Sequence, residues 1–173
     1  DGLKLGHGLD PASNLGPLIN ERQFNRVSGL LEKGLSEGAS ALLSGGRVGD
    51  TGFFVKPTVL TGITPAMSVY REEIFGPVIS AMKITSTNID ALAKEANNTV
   101  YGLGASIWTK DLSTAHKLAA RIRAGIIWIN NHNQSDANLP WGGFKQSGWG
   151  RETGKPAVDL YTEVKSVGVY LGD

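Results

Sequence analysis

Glu73 and Phe75 stand two positions apart in the run Arg71-Glu72-Glu73-Ile74-Phe75-Gly76-Pro77-Val78, and together they could hold a nucleotide. A carboxylate accepts hydrogen bonds from both hydroxyls of a ribose, and a nearby ring packs against a planar heterocycle. The pair is not specific to one nucleotide, and it equally fits an exposed glutamate beside a core phenylalanine. A second cluster, Asn130, Asn131, His132, Asn133, Gln134 and Asp136, follows an apolar stretch and leads to Trp141. Ligands tend to sit beyond the carboxyl ends of parallel strands, so this loop could bind one, with Trp141 as an aromatic wall. A solvated surface loop is the competing reading.

A third run, Pro140-Trp141-Gly142-Gly143-Phe144-Lys145-Gln146-Ser147-Gly148-Trp149-Gly150-Arg151-Glu152, is rich in glycine without being a phosphate loop. Gly148-Trp149-Gly150 has no preceding strand and no dinucleotide fingerprint spacing, and no Gly-Lys-Ser/Thr is present. Tight turns and close backbone approach account for its glycines. His7, His116 and His132 share no metal-ligand spacing, so no metal site is expected. Ser147, His132 and Asp136 do not make a convincing hydrolytic triad, because Ser147 lies outside a Gly-x-Ser-x-Gly elbow. No residue is assigned a catalytic role.

These residues need a scaffold, and the chain is long enough to build one. Its 173 residues are 40% hydrophobic, which suits one domain with a real core. The 17 basic and 16 acidic side chains nearly cancel, giving no electrostatic reason to expect nucleic acid or an anionic membrane as partner. No apolar run approaches the roughly 20 residues of a membrane span. The absence of cysteine excludes disulfides and thiolate metal sites and fits a cytoplasmic protein. The start at Asp1-Gly2-Leu3-Lys4 points to a piece of a longer or processed polypeptide.

The elements follow from caps and periodicity. Asn20 caps a helix carrying Phe24, Val27, Leu30, Leu31 and Leu35, with Gly38 as its stop. Ala41-Leu42-Leu43 and Phe53-Phe54-Val55 read as short strands, and residues 57–60 continue in extended form. Residues 78–84 read as a strand, followed by a helix capped by Asn88 and a strand over 103–108. Asp111 then caps a helix with Leu112, Ala115, Leu118, Ala119 and Ile122 on one face, and Gly125 closes it. Ile126-Ile127-Trp128-Ile129 is apolar throughout, as in a strand covered on both faces. This alternation predicts an α/β fold, a three-layer αβα arrangement around a mostly parallel sheet. Residues 161–171, rich in Val and Tyr, read as a final edge strand where another chain could pair.

Taken in order, these segments resemble the aldehyde dehydrogenase superfamily over essentially the whole chain. The matches are Gly16-Pro17-Leu18-Ile19 with Gln23-Phe24, Gly52 to Val59, Glu72 to Val78, and Ala96-Asn97-Asn98 with Tyr101-Gly102-Leu103. They continue through Thr109-Lys110-Asp111-Leu112, Ala124-Gly125 with Trp128-Ile129-Asn130, Pro140 to Glu152, and Tyr161 to Lys165. The resemblance implies that Glu73 binds the nicotinamide ribose of NAD or NADP and that Phe75 and Leu103 lie near the nicotinamide. It places Gln23 and Arg26 toward the adenosine side, although Gln23 could instead complete a capping box with Asn20. Trp141 and Ser135 would line the aldehyde tunnel. The expected substrate is a bulky or aromatic aldehyde such as phenylacetaldehyde, or a cationic one such as betaine aldehyde.

In that family a cysteine attacks the aldehyde, hydride passes to NAD(P), and a glutamate-activated water releases the acid. This chain has no cysteine. The resemblance therefore implies that 1–173 is a single, partial catalytic domain, inactive alone, that works with the rest of an enzyme chain. Residues 161–171 would be the oligomerisation strand of a homo-oligomer. The rival reading is a non-catalytic oligomerisation or nucleotide-binding module descended from the family.

Overall fold

Asn20 sets the first helix. In a computed structural model that describes residues 2–43 and 45–172, the Asn20 side chain accepts a hydrogen bond from the Gln23 N–H at 2.9 Å and opens α1 (Glu21–Ser36). The apolar positions read from the sequence form its inner face: Phe24, Val27, Leu30 and Leu31 are buried, while Leu35 lies outside that face. Glu37 is the C-cap, and Gly38 at φ +105° turns the chain away, a conformation that suits glycine.

The described residues divide after Ile84 into two compact units. In the first, α1 packs with a three-stranded sheet in the order β1 (Ser40–Leu43), β2 (Thr58–Thr61), β3 (Val78–Ser80), and with the single-turn helix α2 (Ser68–Arg71). Strands β1 and β2 run antiparallel, with Ala41 opposite Leu60; β2 and β3 run parallel, with Val59 opposite Ile79. Val27, Leu31, Val55, Leu60, Ile63 and Ile74 lie in one apolar cluster.

Four of the expected strands are shorter than the sequence suggested or unpaired: 103–108 narrows to Gly104–Ile107, and 161–171 forms no ladder among the described residues. The strand expected over 78–84 stops at Ser80, where the Ala81 N–H makes the last ladder bond to the Leu60 carbonyl. Its partner β2 ends at Thr61, and Gly62 at φ +70° leads the chain off the sheet. Phe53-Phe54-Val55 makes only one antiparallel bridge, Arg47 to Val55. The Arg47 guanidinium instead ties the intervening turn through the carbonyls of Gly49, Asp50 and Gly52.

The second unit contains α3 (Ile89–Ala96), β4 (Gly104–Ile107), α4 (Leu112–Ala119), β5 (Ile126–Ile129), a short 3-10 turn over Lys145–Ser147, and α5 (Gly154–Asp159). The two caps named from sequence form as expected: Asn88 accepts from the Ala91 N–H, and Asp111 from the Ser113 and Thr114 N–H groups. Strands β4 and β5 pair in parallel through α4, with Ser106 opposite Trp128. The fold is α/β with parallel pairing in both sheets. One crossover differs from the regular pattern: β3 takes its ladder partner from β2, so α3 connects strands of different sheets. An apolar pattern identifies a strand but not the neighbour that takes its hydrogen bonds.

Hydrogen bonds from the Ser68 N–H at 2.7 Å and the Ser68 hydroxyl at 2.8 Å hold the Glu37 carboxyl below its usual range, with Lys33 adding a smaller effect. A carboxyl depressed in the folded state contributes stability that is present above its unfolded value and lost as pH falls through the folded one. Glu37→Gln is therefore expected to be less stable than the parent at pH 7, with the gap narrowing as pH falls below the ordinary glutamate range. Urea unfolding midpoints of both proteins from pH 7 down through that range check this; a gap independent of pH would contradict it.

Candidate cofactor and substrate sites

The segment 71–77 emerges from α2 and is fixed to the core by its alternate residues. Ile74 is buried in the apolar cluster, and Gly76 lies so close to Val27 that a Cβ there would come within 2.7 Å of Val27 Cγ2. Phe75, between them, is 71% exposed and sits at φ +58°. The left-handed region costs a phenylalanine about 1–3 kcal/mol, so the surroundings must hold the backbone there. The core position read from the sequence thus belongs to Ile74, and the aromatic ring points outward. Glu73 is exposed too, and its carboxylate has no hydrogen bond or ion pair among the described residues.

Gln23 and Arg26, one turn apart on α1, reach this same segment. Gln23 Nε2 donates to the carbonyls of Phe75 at 2.8 Å and Ile74 at 3.2 Å. Arg26 Nη2 donates to the Glu73 carbonyl at 2.8 Å and lies 3.6 Å from Glu72 Oε2. The Gln23 side-chain amide therefore faces the loop and does not close a capping box on Asn20. Its distance of three residues from the cap concealed this, because one spacing serves either role.

The other candidates lie in the second unit. Leu103 and Trp141 share a cavity of about 350 Å³ with Trp149, Arg151 and Tyr161. Trp141 also lines a neighbouring cavity of about 300 Å³ with Ser135, Asp136 and Glu152. The glycine-rich run makes close backbone contacts, in agreement with its sequence reading: Gly102 O accepts from the N–H groups of both Gly125 and Phe144, at 3.0 and 2.8 Å. Arg151 lies over the Phe144 ring at 5.2 Å and donates to the Gly143 carbonyl.

Trp128 organises the loop after β5. Its Nε1–H donates to the Gln134 carbonyl at 2.8 Å, its ring meets His132 edge-on at 5.3 Å, and Trp141 lies 5.7 Å away. In the sequence this residue shows only as an apolar strand position; its one further signal is an indole N–H that needs an acceptor when buried. Asn130, at φ +55°, pairs its side-chain amide with both the N–H and the carbonyl of Thr109, so it extends the β4–β5 edge. His132 Nδ1 lies 2.8 Å from Ser106 Oγ, Ser147 Oγ accepts from the Gly102 N–H, and Asp136 Oδ1 accepts from Asn138. The imagined triad is not assembled. Among the described residues, no group of three or more His, Cys, Asp or Glu could hold a metal, and no helix is long and apolar enough to cross a membrane.

The aldehyde dehydrogenase family profile matches residues 1–167. The chain belongs to the aldehyde dehydrogenase family. Among aldehyde dehydrogenases it is 46% identical over 167 residues to aldehyde dehydrogenase 1A1 of Oryctolagus cuniculus, covering 96% of this chain and 33% of that protein. It is 44% identical over 176 residues to betaine aldehyde dehydrogenase of Mesorhizobium japonicum, covering 99% and 36%. The NAD+ complex of an aldehyde dehydrogenase from Bacillus cereus superposes with a TM-score of 0.92 at 44% identity, covering 99% of this chain and 34% of that one. This chain spans about a third of the length of the family members it matches.

Proposed function

We propose that this chain forms part of the catalytic domain of an NAD(P)-dependent aldehyde dehydrogenase that converts an aldehyde to a carboxylic acid. The observation that carries the reading is the pairing of Glu73 and Phe75: both side chains project outward while the backbone between them is tied down. An unpartnered carboxylate beside an exposed ring suits a ribose joined to a planar heterocycle. The NAD+ complex of the B. cereus relative supports NAD as the cofactor. When bound, NAD(P) accepts the hydride. Glu73 holds the ribose and Phe75 packs beside the ring; Leu103 is a separate cofactor contact, carried by the second unit. Trp141 and Ser135 line the aldehyde site, and residues 161–171 pair with another subunit. The whole chain belongs to one catalytic domain in this reading, and its cysteine-free composition suits the cytoplasm.

The chain supplies no thiolate, so on its own it does not turn over. Of the two substrate classes considered, the cavity shared by Trp141, Asp136 and Glu152 favours a cationic aldehyde, since an indole face and two carboxylates both attract an ammonium group. The test is NAD reduction with a panel of neutral aromatic and quaternary ammonium aldehydes. The isolated chain is expected to be inactive, whereas the complete enzyme carrying it oxidises the aldehydes, the ammonium ones with the highest kcat/KM. Glu73→Gln in that enzyme is expected to raise the KM for NAD about 10- to 100-fold, the range for a hydrogen bond to a charged group. Thiol-independent turnover by the isolated chain would overturn the proposal, as would an unchanged KM for NAD in Glu73→Gln.

A further inference from the structure

We infer that Lys145 and Ser147 are positioning residues for the cofactor contact Leu103, acting through the backbone of residues 97–102. The inference rests on the reading that Leu103 lies against the cofactor, and it gives a task to the tip of the glycine-rich run. Residues 97–102 join α3 to β4 and are neither helix nor strand. The run 144–147 takes their hydrogen bonds instead. Lys145 Nζ donates to the carbonyls of Asn97 and Thr99, each at 3.0 Å. Ser147 Oγ accepts from the Gly102 N–H at 2.9 Å. The Phe144 and Gln146 N–H groups donate to the Gly102 and Val100 carbonyls at 2.8 and 3.0 Å.

A segment with no ladder must find other partners for its buried backbone groups. Gly102 is buried, so its N–H needs an acceptor, and the Ser147 hydroxyl supplies it. Lys145 answers a second need. Asn97 is the C-cap of α3, and an ammonium beside its carbonyl meets the negative end of that helix. The Asn97 side chain in turn bonds the Arg121 carbonyl and the Arg123 N–H, which ties the same corner to the turn after α4. Lys145 itself holds φ +55°, a conformation that costs a non-glycine residue and persists only when its surroundings impose it.

Leu103 follows Gly102 directly, and its carbonyl accepts from the Ile126 N–H at 3.2 Å where β4 begins. Gly102 has little room to shift, since its Cβ position lies 2.6 Å from the Arg123 carbonyl oxygen and 3.1 Å from Phe144 Cβ. The direction in which the Leu103 side chain leaves the backbone is therefore set at Gly102. Leu103 is exposed and lines the same cavity as Ser147 and Trp141. Phe144 and Gln146 act through main-chain N–H groups that almost any residue would offer. Lys145 and Ser147 act through side chains, so the anchor depends on their identity.

Ser147→Ala removes the acceptor and Lys145→Met the donors, while Lys145→Arg keeps donors within reach of both carbonyls. In this chain, hydrogen exchange at the Phe144 and Gln146 amides is expected to rise about tenfold in Ser147→Ala and Lys145→Met, and to match the parent in Lys145→Arg. The Ala115 amide, bonded to the Asp111 carbonyl at the start of α4, is expected to keep its parent rate in all three. In the complete enzyme carrying this segment, Ser147→Ala and Lys145→Met are each expected to weaken NADH binding about tenfold, the loss of one such bond. On a Leu103→Ala background, neither weakens it further by more than about twofold.

A purely stabilising role would speed exchange at Ala115 together with Phe144 and leave NADH affinity unchanged, and that result overturns the inference. Unchanged exchange at Phe144 and Gln146, fast exchange in Lys145→Arg, or losses that multiply with Leu103→Ala overturn it too. If Leu103→Ala by itself leaves NADH affinity unchanged, the cofactor reading of Leu103 fails, and the exchange rates still decide whether 144–147 anchors residues 97–102.

Discussion

Gly125→Ala is expected to destabilise the second unit by about 3 kcal/mol or more, beyond the usual cost of an overpacked core position. A Cβ built on Gly125 falls 1.6 Å from the Gly142 carbonyl oxygen and 2.7 Å from its carbon. Both are backbone atoms, so no rotamer change relieves the clash. Nor can Gly142 retreat freely, since its own Cβ position lies 2.4 Å from the Gly150 carbonyl oxygen. The run 140–152 must therefore move as a body, and Trp141 moves with it. The effect reaches β4 as well, because the Gly125 and Ile126 N–H groups bond to the Gly102 and Leu103 carbonyls where β4 begins. Urea unfolding of the variant checks the stability loss. Gly29→Ala supplies the contrast: Gly29 lies within α1 with nothing near its Cβ position, so alanine is expected to stabilise by about 0.5–1 kcal/mol. If both variants lose stability equally, close backbone approach is not what Gly125 serves.

That clash shows where sequence reading was strong and where it stopped. The glycines of 140–152 could be assigned to close packing by rejecting a phosphate loop, yet nothing in the spacing says that their partners are Gly102 and Gly125. Helices were legible because caps and periodicity are local: Asn20, Asn88 and Asp111 each bond the N–H groups their positions implied. Strands of three or four residues were less so, since their ends depend on a partner elsewhere in the chain. Residues 81–84 look like strand and are not, because β2 has already ended.

The single-turn helix α2 and the short α5 carry too few residues to show a period. The candidate site was legible as a set of residue types. Its supporting interactions were hidden because they run from side chain to backbone, and carbonyls leave no mark in a sequence. Gln23, Arg26 and Trp128 all act through such bonds.

Leu60→Ala is expected to cost the first unit about 2–5 kcal/mol, the range for deleting a buried leucine side chain. Leu60 is fully buried in the central strand, opposite Ala41 on one side and Ser80 on the other. The space left by its removal is bounded by a helix and two strands that are already hydrogen-bonded in register, so collapse is limited and the cavity cost is retained. Leu42→Ala is the control of the same chemistry, because Leu42 is 72% exposed on the edge strand; its cost should stay within about 0.5 kcal/mol. The core variant also bears on the site. Ile74 and Val27 belong to the same apolar cluster as Leu60, and Gly76 rests against Val27. Loosening that cluster should release the 72–77 segment even though Leu60 touches no candidate ligand group. Hydrogen exchange at Glu72 and Val78 in Leu60→Ala should therefore rise along with the global opening rate, and in Leu42→Ala it should not. If the segment stays protected while the core weakens, the hydrogen bonds from Gln23 and Arg26 are sufficient to hold it, and α1 alone presents Glu73 and Phe75.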